Sequence, residues 1–330
     1  MSSFTPSVSI VVPVYNGSRT IEHCITSLLN QDYPKDKYEI IVVENGSTDN
    51  TPEFLKNYPV RLIHCNKPGP SEARNNGIAY SRSDIIAFTD ADCVAAPNWL
   101  TNLTQPYINP KVGGVGGEIL AYRHANRNFV EIFSDDYSPL INYGSENSGE
   151  FLPRLYTANA SYRRELINQI GGFRPYLITG QDVDLSWRLQ LQTDYKLQYA
   201  PEATIYHHHR TTKAGLARQY RRYGFGEIML DTLYRQHPGY PRNRSYQLKR
   251  IMKQLYAMLR YTVSMGVRRI RLTTGRATPY EAAVPGLWFL IEWNNIRGKI
   301  DGLIATRLMK DPQIATETDR VPLITRLYGT

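Results

Sequence analysis

Two aspartates separated by one residue, Asp90 and Asp92, are the best placed side chains in this sequence for chemistry. They follow the apolar run 84–89, which predicts a buried strand, and side chains two apart on a strand point to the same side. Such a pair could hold a divalent cation and a ligand hydroxyl, because Mg²⁺ prefers one or two carboxylates plus phosphate oxygens. A solvated acidic turn is the alternative for an isolated pair, but the preceding strand favours the cation site.

Repeated strand–helix units must position this acidic pair. Their alternation predicts an α/β fold with a doubly wound, mostly parallel sheet, in which ligands bind beyond the carboxyl ends of the strands. The predicted strands are 7–14, 38–43, 61–65 and 84–89, and the predicted helices are 21–29, one that starts at 50–53, and 71–81.

The pattern loosens after about residue 110. A Gly-rich strand is predicted at 112–122, a polar mobile flap at 123–152, helices at 161–170 and 182–192, and a strand at 196–208. From about residue 211 the composition shifts to a basic segment. Between Asp231 and Glu281 the chain has eleven Lys and Arg and no acidic residue, with apolar residues at helical spacing.

The bulk composition narrows the class of protein. The 330 residues include 39 Lys and Arg against 30 Asp and Glu, a net charge of +9, with 42% hydrophobic residues. A net positive charge of this size suits a protein that binds nucleic acid, an anionic membrane or a phosphorylated ligand. Three scattered cysteines fit a reducing compartment, and no secretory signal or membrane-spanning run is found. These features predict a soluble or peripheral cytoplasmic protein.

Seven short motifs stand in the order typical of one enzyme family. They are SIVVPVYN from residue 9, VENGSTD from 43, ARNNG from 73, DAD from 90, NAS from 159, GGF from 171 and QDVDLSWR from 181. Over roughly residues 7–225 the sequence resembles a family-2 glycosyltransferase with the GT-A fold. The resemblance implies an inverting hexosyltransferase that moves a sugar from a nucleotide-diphosphate sugar, UDP-linked by default, to a hydroxyl acceptor.

The resemblance also assigns donor-binding roles. Pro13, Tyr15 and Glu44 would hold the base and ribose, Arg74 would approach the base or diphosphate, and Asp90 would face the ribose or metal. The residues expected to bind the nucleotide sugar are therefore Pro13, Tyr15, Glu44, Arg74, Asp90 and Ala91. Two positions depart from the family pattern: an acidic pair is replaced by Glu44-Asn45, and a Glu before the base position is replaced by Gln181.

Asp182 is the expected catalytic base, because displacement at the anomeric carbon needs a group that takes the proton of the attacking hydroxyl. At the start of a helix the dipole favours its ionised form. Leu185 and Leu189 put Asp182 on the packed face, whereas Asp184 is expected on roughly the opposite side. A simple helix cap is the alternative role for Asp182.

The expected metal ligands are Asp92 and His207. His207 belongs to a run of three histidines after a predicted strand, and the family often has a histidine there that completes the metal site. An imidazole suits Mn²⁺ better than Mg²⁺, and either divalent metal is expected as the cofactor.

Acceptor or diphosphate contacts are expected from Asn159, Gln181, Trp187, Gln219 and Arg222. The last two belong to the segment QYRRY from residue 219, which resembles the QxxRW signature of processive synthases with Tyr in place of Trp. A basic helix face is the alternative interpretation. Because no membrane-spanning run forms a channel, single additions are expected rather than polymer extrusion.

The basic segment 211–330 has three interpretations: a solvated helical face, a nucleic-acid surface, or a docking surface for an anionic membrane. No nucleic-acid recognition motif is found, and Trp288, Phe289 and Trp293 favour the membrane.

We expect a GT-A domain over 1–210, with a nucleotide-binding half at 1–110 and an acceptor-binding half at 111–210. A glycan or lipid-linked acceptor at the cytoplasmic face of the membrane is the expected partner.

Two other functions remain open at this level. A sugar nucleotidyltransferase of related fold would need a Gly-rich basic loop after the first strand, whereas the sequence there, VYNGSR from residue 14, has one glycine. A non-catalytic nucleotide-sugar binding protein would not need the intact Asp90-Ala91-Asp92 motif or Asp182. Both alternatives fit the sequence less well than sugar transfer.

Overall fold

The structure, a computed structural model, describes residues 4–137, 142, 151–241 and 244–308. Its strands are β1 (Val8–Val14), β2 (Tyr38–Glu44), β3 (Arg61–His64), β4 (Ile85–Thr89), β5 (Cys93–Ala95), β6 (Val112–Ala121), β7 (Asn159–Arg163) and β8 (Lys196–His207). Its helices are α1 (Ile21–Leu29), α2 (Thr51–Leu55), α3 (Pro70–Tyr80), α4 (Trp99–Thr104), α5 (Phe129–Tyr137), α6 (Arg164–Gln169), α7 (Gln181–Gln192), α8 (Lys213–Tyr234), α9 (Arg244–Thr273) and α10 (Pro279–Leu308).

The described residues fall into two units. The first holds the sheet and comprises the described residues within Met1–Tyr122, Pro139–Pro175 and Gln181–His208. The second is helical and comprises those within Arg123–Ser138, Tyr176–Gly180 and His209–Thr330. The domain boundaries expected from the sequence remain predictions.

The sheet has the strand order β3-β2-β1-β4-β7-β6-β8-β5. Strands β1 to β4 are parallel to one another, which confirms the α/β class and the doubly wound first half. The second half is mixed, because β7 is antiparallel to both β4 and β6, and β5 is antiparallel to β8. Because β8 is parallel to β6, only β5 and β7 run against the other strands, and the prediction of a mostly parallel sheet is confirmed.

Strand β1 is apolar except for Ser9, because both of its faces are covered. Ile10 and Val12 belong to the same buried cluster as Ile25 of α1, whereas Val11 belongs to a second cluster with Ile78 of α3. Helices thus cover the two sides of the sheet, which explains a continuous rather than alternating apolar run.

Pro13 marks the point where β1 and β4 part. The backbone N–H of Val8 bonds the carbonyl of Lys37 just before β2, so the nitrogen of residue 13 faces the other side, toward β4. Pairing between β1 and β4 stops at Val11, so the missing N–H of Pro13 removes no sheet hydrogen bond. A crevice between neighbouring strands at this position is where open α/β sheets bind ligands.

The local structure differs from the sequence predictions at three places. Residues 161–170 are not one helix, because Asn159–Arg163 forms the inserted strand β7 and only Arg164–Gln169 is helical. The predicted flap over 123–152 contains helix α5, and the rest of it lies partly outside the described residues. The short strand β5 was not predicted at all.

The helical unit is held by close contact between α8 and α10. A Cβ atom on Gly298 would lie 1.8 Å from the carbonyl oxygen of Arg221, so only glycine lets the two backbones approach. Beside this contact, Lys299 is fully buried and its Nζ lies 3.2 Å from Glu227 and 2.9 Å from Oε1 of Gln254. In the described part of the chain, no helix is both long and apolar enough to cross a membrane.

Candidate active site

Asp92 and His207 are neighbours although 115 positions separate them. Asp92 precedes β5, whose first residue, Cys93, pairs with His207 at the end of β8. The backbone N–H of His208 also donates to the carbonyl of Asp92 at 2.8 Å. As a result Nε2 of His207 lies 3.6 Å from Oδ1 of Asp92.

The chemistry of this pair fits a divalent cation. Two ligands of one ion, each about 2.1 Å from it, are at most about 4.2 Å apart, and the pair meets that limit. Within the described ranges, no group of three or more His, Cys, Asp or Glu side chains is arranged to hold a metal. Asp92 and His207 could therefore supply two ligands, and phosphate oxygens of a bound nucleotide could supply others.

Asp90 interacts with Arg74, a buried cation on α3. Nη2 of Arg74 donates to Oδ1 of Asp90 at 2.6 Å, and the Arg74 side chain is only 5% exposed. Its Nε and Nη1 atoms are buried and have no hydrogen-bond partner among the described residues. Buried donors of this kind usually have a partner, so these two N–H groups fit a bound anion.

The position of Arg74 follows from the packing of α3. A Cβ on Gly77 would lie 2.3 Å from Cγ1 of Val11, so glycine at this position lets α3 lie close against β1. Asn75 fixes the other side of the helix, because its side chain accepts from the N–H and donates to the carbonyl of Phe173 at 2.9 and 2.8 Å. Two residues of the motif thus set the helix so that Arg74 reaches Asp90.

Asp182 lies in the first turn of α7, inside the helix rather than at its cap position. Its Oδ1 accepts the N–H of Val183 at 2.9 Å. Burial raises the pKa of Asp182, Arg74 acts in the opposite direction, and the negative charge of Asp90 raises it further. Asp182, Arg74 and Asp90 are thus electrostatically coupled, and a carboxylate with a raised pKa is suited to accept a proton.

Asp184 is buried as well, contrary to the expectation that it lies opposite the packed face. Its carboxylate is 0% exposed and lies 2.9 Å from Nε of Arg188 and 3.2 Å from Nη1 of Arg174. Arg188 in turn donates to the carbonyls of Ile170 and Gly172. This network ties α7 to the loop after α6 and gives Asp184 a structural role.

Glu44 is a buried carboxylate at the end of β2. Burial alone would raise its pKa, but hydrogen bonds from Ser47 and Gly46 and the nearby His64 hold the pKa below its usual value. The negative charge is therefore stable at neutral pH and could accept a bond from a ribose or base. Tyr15, at the end of β1, is 47% exposed and could pack against a planar ring.

The loops after β1 and β2 are joined by a network that the sequence did not reveal. Asp49 accepts the N–H groups of Ser18 and Thr51 at 3.1 and 3.0 Å. Asn16, the one described non-glycine residue with positive φ (52°), accepts the N–H of Thr48 at 2.8 Å. Asparagine tolerates this backbone conformation, so an asparagine directly after a predicted strand was the one sequence feature that could have indicated this turn. We call residues 16–18 and 47–51 the loop clamp.

A second group missed from the sequence is an aromatic stack beside Asp92. The rings of His208, Tyr122 and His23 all contact one another: the centroid of His208 lies 4.0 Å from that of Tyr122 and 5.8 Å from that of His23, and the last two are 6.1 Å apart. Burial and the neighbouring His23 lower the pKa of His208 to about 4, so its ring is neutral at pH 7. Because His208 directly follows His207, these ring contacts lie beside the expected metal ligand.

Of the five residues expected to contact the acceptor, Asn159 and Trp187 are buried and bonded within the protein. The side-chain amide of Asn159 donates to the carbonyls of Glu118 and Ala203 and accepts a hydrogen bond from the indole N–H of Trp99. Trp187 is buried, and its indole N–H donates to the carbonyl of Leu152. Both side chains use their hydrogen bonds inside the protein, which favours structural roles.

The other three expected acceptor residues keep polar groups that a ligand could reach or replace. Gln181 begins α7, and its buried Oε1 has no partner in the described part of the chain. Gln219 and Arg222 lie on α8 in the helical unit, where Gln219 donates to the Tyr223 hydroxyl at 2.7 Å and Arg222 is exposed.

Comparison with known proteins identifies the family. The profile described as glycosyl transferase family 2 matches residues 9–171. The chain is 31% identical over 242 residues to glycosyltransferase AglE of Haloferax volcanii, covering 71% of this chain and 78% of that protein. It is 27% identical over 235 residues to the poly-beta-1,6-N-acetyl-D-glucosamine synthase of Staphylococcus epidermidis, covering 68% of this chain and 55% of the synthase.

A solved structure supports the fold. The mannosyltransferase PcManGT from Pyrobaculum calidifontis, in complex with GDP-Man and Mn²⁺, superposes with a TM-score of 0.61 at 20% identity, covering 91% of this chain and 88% of that one. This likeness shows a shared fold, and the sequence relatives show the family. The chain belongs to glycosyltransferase family 2 and is a glycosyltransferase with the GT-A fold.

Proposed function

We propose that this chain is an inverting glycosyltransferase that moves a sugar from a nucleotide-diphosphate sugar to an acceptor hydroxyl, with Asp182 as base. The observation that carries the proposal is the charge arrangement around the end of β4. Arg74 bonds Asp90 and acts electrostatically on Asp182, while the Asp92 carboxylate and the His207 imidazole lie 3.6 Å apart. Family membership favours sugar transfer over nucleotidyl transfer and over non-catalytic donor binding.

The donor would bind across the ends of β1, β2 and β4. Pro13, Tyr15 and Glu44 would hold the base and ribose, and Asp90 and Ala91 would lie beside the ribose. The unsatisfied N–H groups of Arg74 would then face the diphosphate. A UDP-sugar is the default donor, and GDP-Man is the alternative because PcManGT was solved with it.

Asp92 and His207 would hold a divalent cation, Mn²⁺ or Mg²⁺. Mn²⁺ is favoured by the imidazole ligand and by its presence in the PcManGT complex. Such an ion, when bound, neutralises negative charge on the departing diphosphate. Arg74 adds a fixed positive charge to the same region.

In the transfer step the acceptor oxygen forms a bond to the anomeric carbon while the bond from that carbon to the diphosphate oxygen breaks. The hydroxyl proton goes to Oδ2 of Asp182, and the nucleoside diphosphate leaves with the bonding electron pair. Oδ1 of Asp182 stays on the Val183 N–H, which orients the carboxylate. Attack opposite the leaving group inverts the anomeric configuration.

The acceptor is proposed to be a glycan or a lipid-linked precursor at the cytoplasmic face of an anionic membrane. A related protein is named as a synthase of a polysaccharide, poly-beta-1,6-N-acetyl-D-glucosamine. Gln181 supports an acceptor role, because its buried Oε1 has no partner among the described residues and it precedes the base.

The proposed transfer can be tested with a panel of nucleotide sugars and ¹H NMR of the product. One donor class should give Mn²⁺- or Mg²⁺-dependent release of nucleoside diphosphate, and transfer should invert the anomeric proton coupling. A product that retains the configuration, or full transfer by Asp182→Asn, would sink the proposal. Release of pyrophosphate from a nucleoside triphosphate would instead support nucleotidyl transfer.

A further inference from the structure

Helix α9 presents its apolar side to solvent. Eight large apolar residues on it are 43–67% exposed, and at about 100° per residue they lie along one side of the helix. We call them the outer stripe. They are Leu248, Met252, Leu255, Tyr256, Leu259, Val263, Val267 and Ile270.

The opposite side of α9, which packs against α10, is more polar than the outer stripe. Gln254 is buried there and donates to Glu292 and Asn295 of α10 at 2.7 and 2.9 Å. Met258 is buried on the same side, and the ring of Tyr261 stacks on Trp288 at 5.9 Å. Surface helices normally bury their apolar side, so this reversed arrangement indicates an apolar partner for the outer stripe.

The sequence suggested aromatic residues of α10 as membrane anchors, but they differ in exposure. Trp288 packs against Phe133, Tyr137 and Tyr261 inside the helical unit, so it is not available as an interfacial anchor. Trp293, in contrast, is 45% exposed. The outer stripe of α9 is therefore the main exposed apolar surface of the described part of the helical unit.

Exposed basic residues border the outer stripe. At 100° per residue, Lys249, Lys253 and Arg260 follow one edge of the stripe, and Arg269 lies beyond the other edge. Between Asp231 and Glu281 the sequence contains no acidic residue, so α9 itself places no negative charge beside these side chains. A partner for this side must therefore be apolar in its centre and negative at its borders.

These charges distinguish between the two simplest occupants. A second copy of the chain would bring basic borders against basic borders, and like charges repel. An anionic bilayer supplies acyl chains for the stripe and negative headgroups for Lys and Arg, whose long stems reach outward to the headgroups. With about 45 Å of length, from 30 residues at about 1.5 Å each, α9 is suited to lie along such a surface.

We propose that α9 is the membrane-binding element of this enzyme and lies in the plane of an anionic bilayer with the outer stripe inserted among the headgroups. This inference rests on the proposed function, since an acceptor in the membrane is what makes docking useful. It names the surface of the chain that binds the membrane, which the proposed function left open.

Vesicle flotation of the full chain tests the proposal. Wild-type protein should float with phosphatidylcholine vesicles that contain about one third phosphatidylglycerol, and binding should weaken with salt because exposed charges are screened. Leu255→Gln with Leu259→Gln should lower the partition coefficient at least tenfold. Replacing Lys249, Lys253 and Arg260 by Gln should reduce binding to the level seen with pure phosphatidylcholine.

A matched control uses two apolar side chains of the sheet unit. Tyr80 and Ile108 are 47% and 63% exposed, close to the 43% and 64% of Leu255 and Leu259. Tyr80→Gln with Ile108→Gln should float like wild type. Equal flotation of the α9 double variant and wild type would overturn the proposal, as would a wild-type dimer in sedimentation velocity that the α9 variant converts to monomer.

Donor hydrolysis without vesicles separates this proposal from the proposed function. The α9 and control variants should release nucleoside diphosphate at the wild-type rate, because none of these residues is part of the donor site. Intact hydrolysis with no vesicle binding would reject only the membrane role. Absence of metal-dependent donor turnover in wild type would reject the proposed function whatever the vesicle result.

Discussion

Nη2 of Arg74 lies 2.6 Å from Oδ1 of Asp90, at the end of the strand that leads to Asp92. This contact joins helix α3 to the acidic motif, and the remaining N–H groups of Arg74 are buried without a hydrogen-bond partner among the described residues. The sequence suggested separate roles for Arg74 and Asp90, whereas the structure shows them as a pair that also influences Asp182.

Replacing Arg74 should change both donor affinity and the pH dependence of transfer. Arg74→Gln removes the charge that lowers the pKa of Asp182, so the acid limb of the pH–rate profile should move to higher pH. Donor affinity should fall about tenfold or more, since hydrogen bonds to charged groups contribute about 1.5–3 kcal/mol. Arg74→Lys keeps the charge, so its acid limb should stay near that of wild type; an unchanged profile in Arg74→Gln would contradict the coupling.

Asp182→Asn should remove transfer while leaving donor affinity nearly unchanged, because the base acts only on the acceptor proton. A general base typically contributes about 10²–10⁴-fold to the rate. Single-turnover transfer and donor titration measure the two quantities separately. A loss of donor affinity equal to the loss of rate would instead indicate a donor-binding role.

The same substitution should also stabilise the protein at neutral pH. Burial raises the pKa of Asp182, so the folded chain holds this proton more tightly than the unfolded chain does. Its contribution to stability is complete below the unfolded pKa, about 3.9, and is lost as the pH rises through the folded value. Urea denaturation at pH 7 should therefore show Asp182→Asn to be at least as stable as wild type. Asp184→Asn is the control, because breaking a buried ion pair should cost about 3–5 kcal/mol.

The loop clamp should link stability to donor binding. Asp49→Ala removes the acceptor for the N–H groups of Ser18 and Thr51, which should cost about 1–2 kcal/mol and weaken donor binding. Burial raises the pKa of Asp49, but the bonds from Thr51 and Ser18 outweigh it and lower the pKa to about 2. The difference from wild type in urea denaturation should therefore be complete above about pH 4 and shrink as the pH falls toward 2. Asp36→Ala, at an exposed loop position, should change stability by less than about 0.5 kcal/mol.

Two adjacent arginines on α8 offer a matched test of the QxxRW-like segment. Arg221 bonds Asp301 at 2.6 Å, whereas Arg222 is exposed. If the segment contacts the acceptor or diphosphate, Arg222→Gln should lower transfer with little change in melting temperature. Arg221→Gln should instead lower stability by about 1–3 kcal/mol. Wild-type transfer by Arg222→Gln would leave a basic helix face as the better interpretation.

The parallel half of the sheet could be predicted from the sequence because β1, β2 and β4 consist mainly of buried apolar residues. The inserted strand β7 could not, since Asn159–Arg163 is short and runs directly into helix α6. Missing β5 had a larger consequence. The pairing of Cys93 with His207 helps to bring Asp92 and His207 together, and a strand of three residues gives no periodicity to detect.

The roles of single residues were harder to predict than their positions. Asp184 and Asp182 are equally acidic and two positions apart, yet one is held by two arginines and the other is coupled to Arg74. Arg188 lies four positions after Asp184 on the same helix, so local spacing could have suggested that pair. Arg74 lies on a different helix far earlier in the chain, so local spacing could not reveal its effect on Asp182. The outer stripe of α9 shows the same limit, because helical spacing predicts an apolar side but not which way it faces.

The most direct measurement of the central claim is thermal unfolding of wild type and Asp92→Asn with a nucleotide sugar, in the presence of Mn²⁺ or of a chelator. At 100 times its Kd, the donor should stabilise wild type by about 2.7 kcal/mol when the metal is present. The chelator should remove most of this gain, and Asp92→Asn should show only the remainder. Equal stabilisation of wild type with and without metal, or full metal-dependent stabilisation of Asp92→Asn, would contradict a metal–diphosphate site built on Asp92.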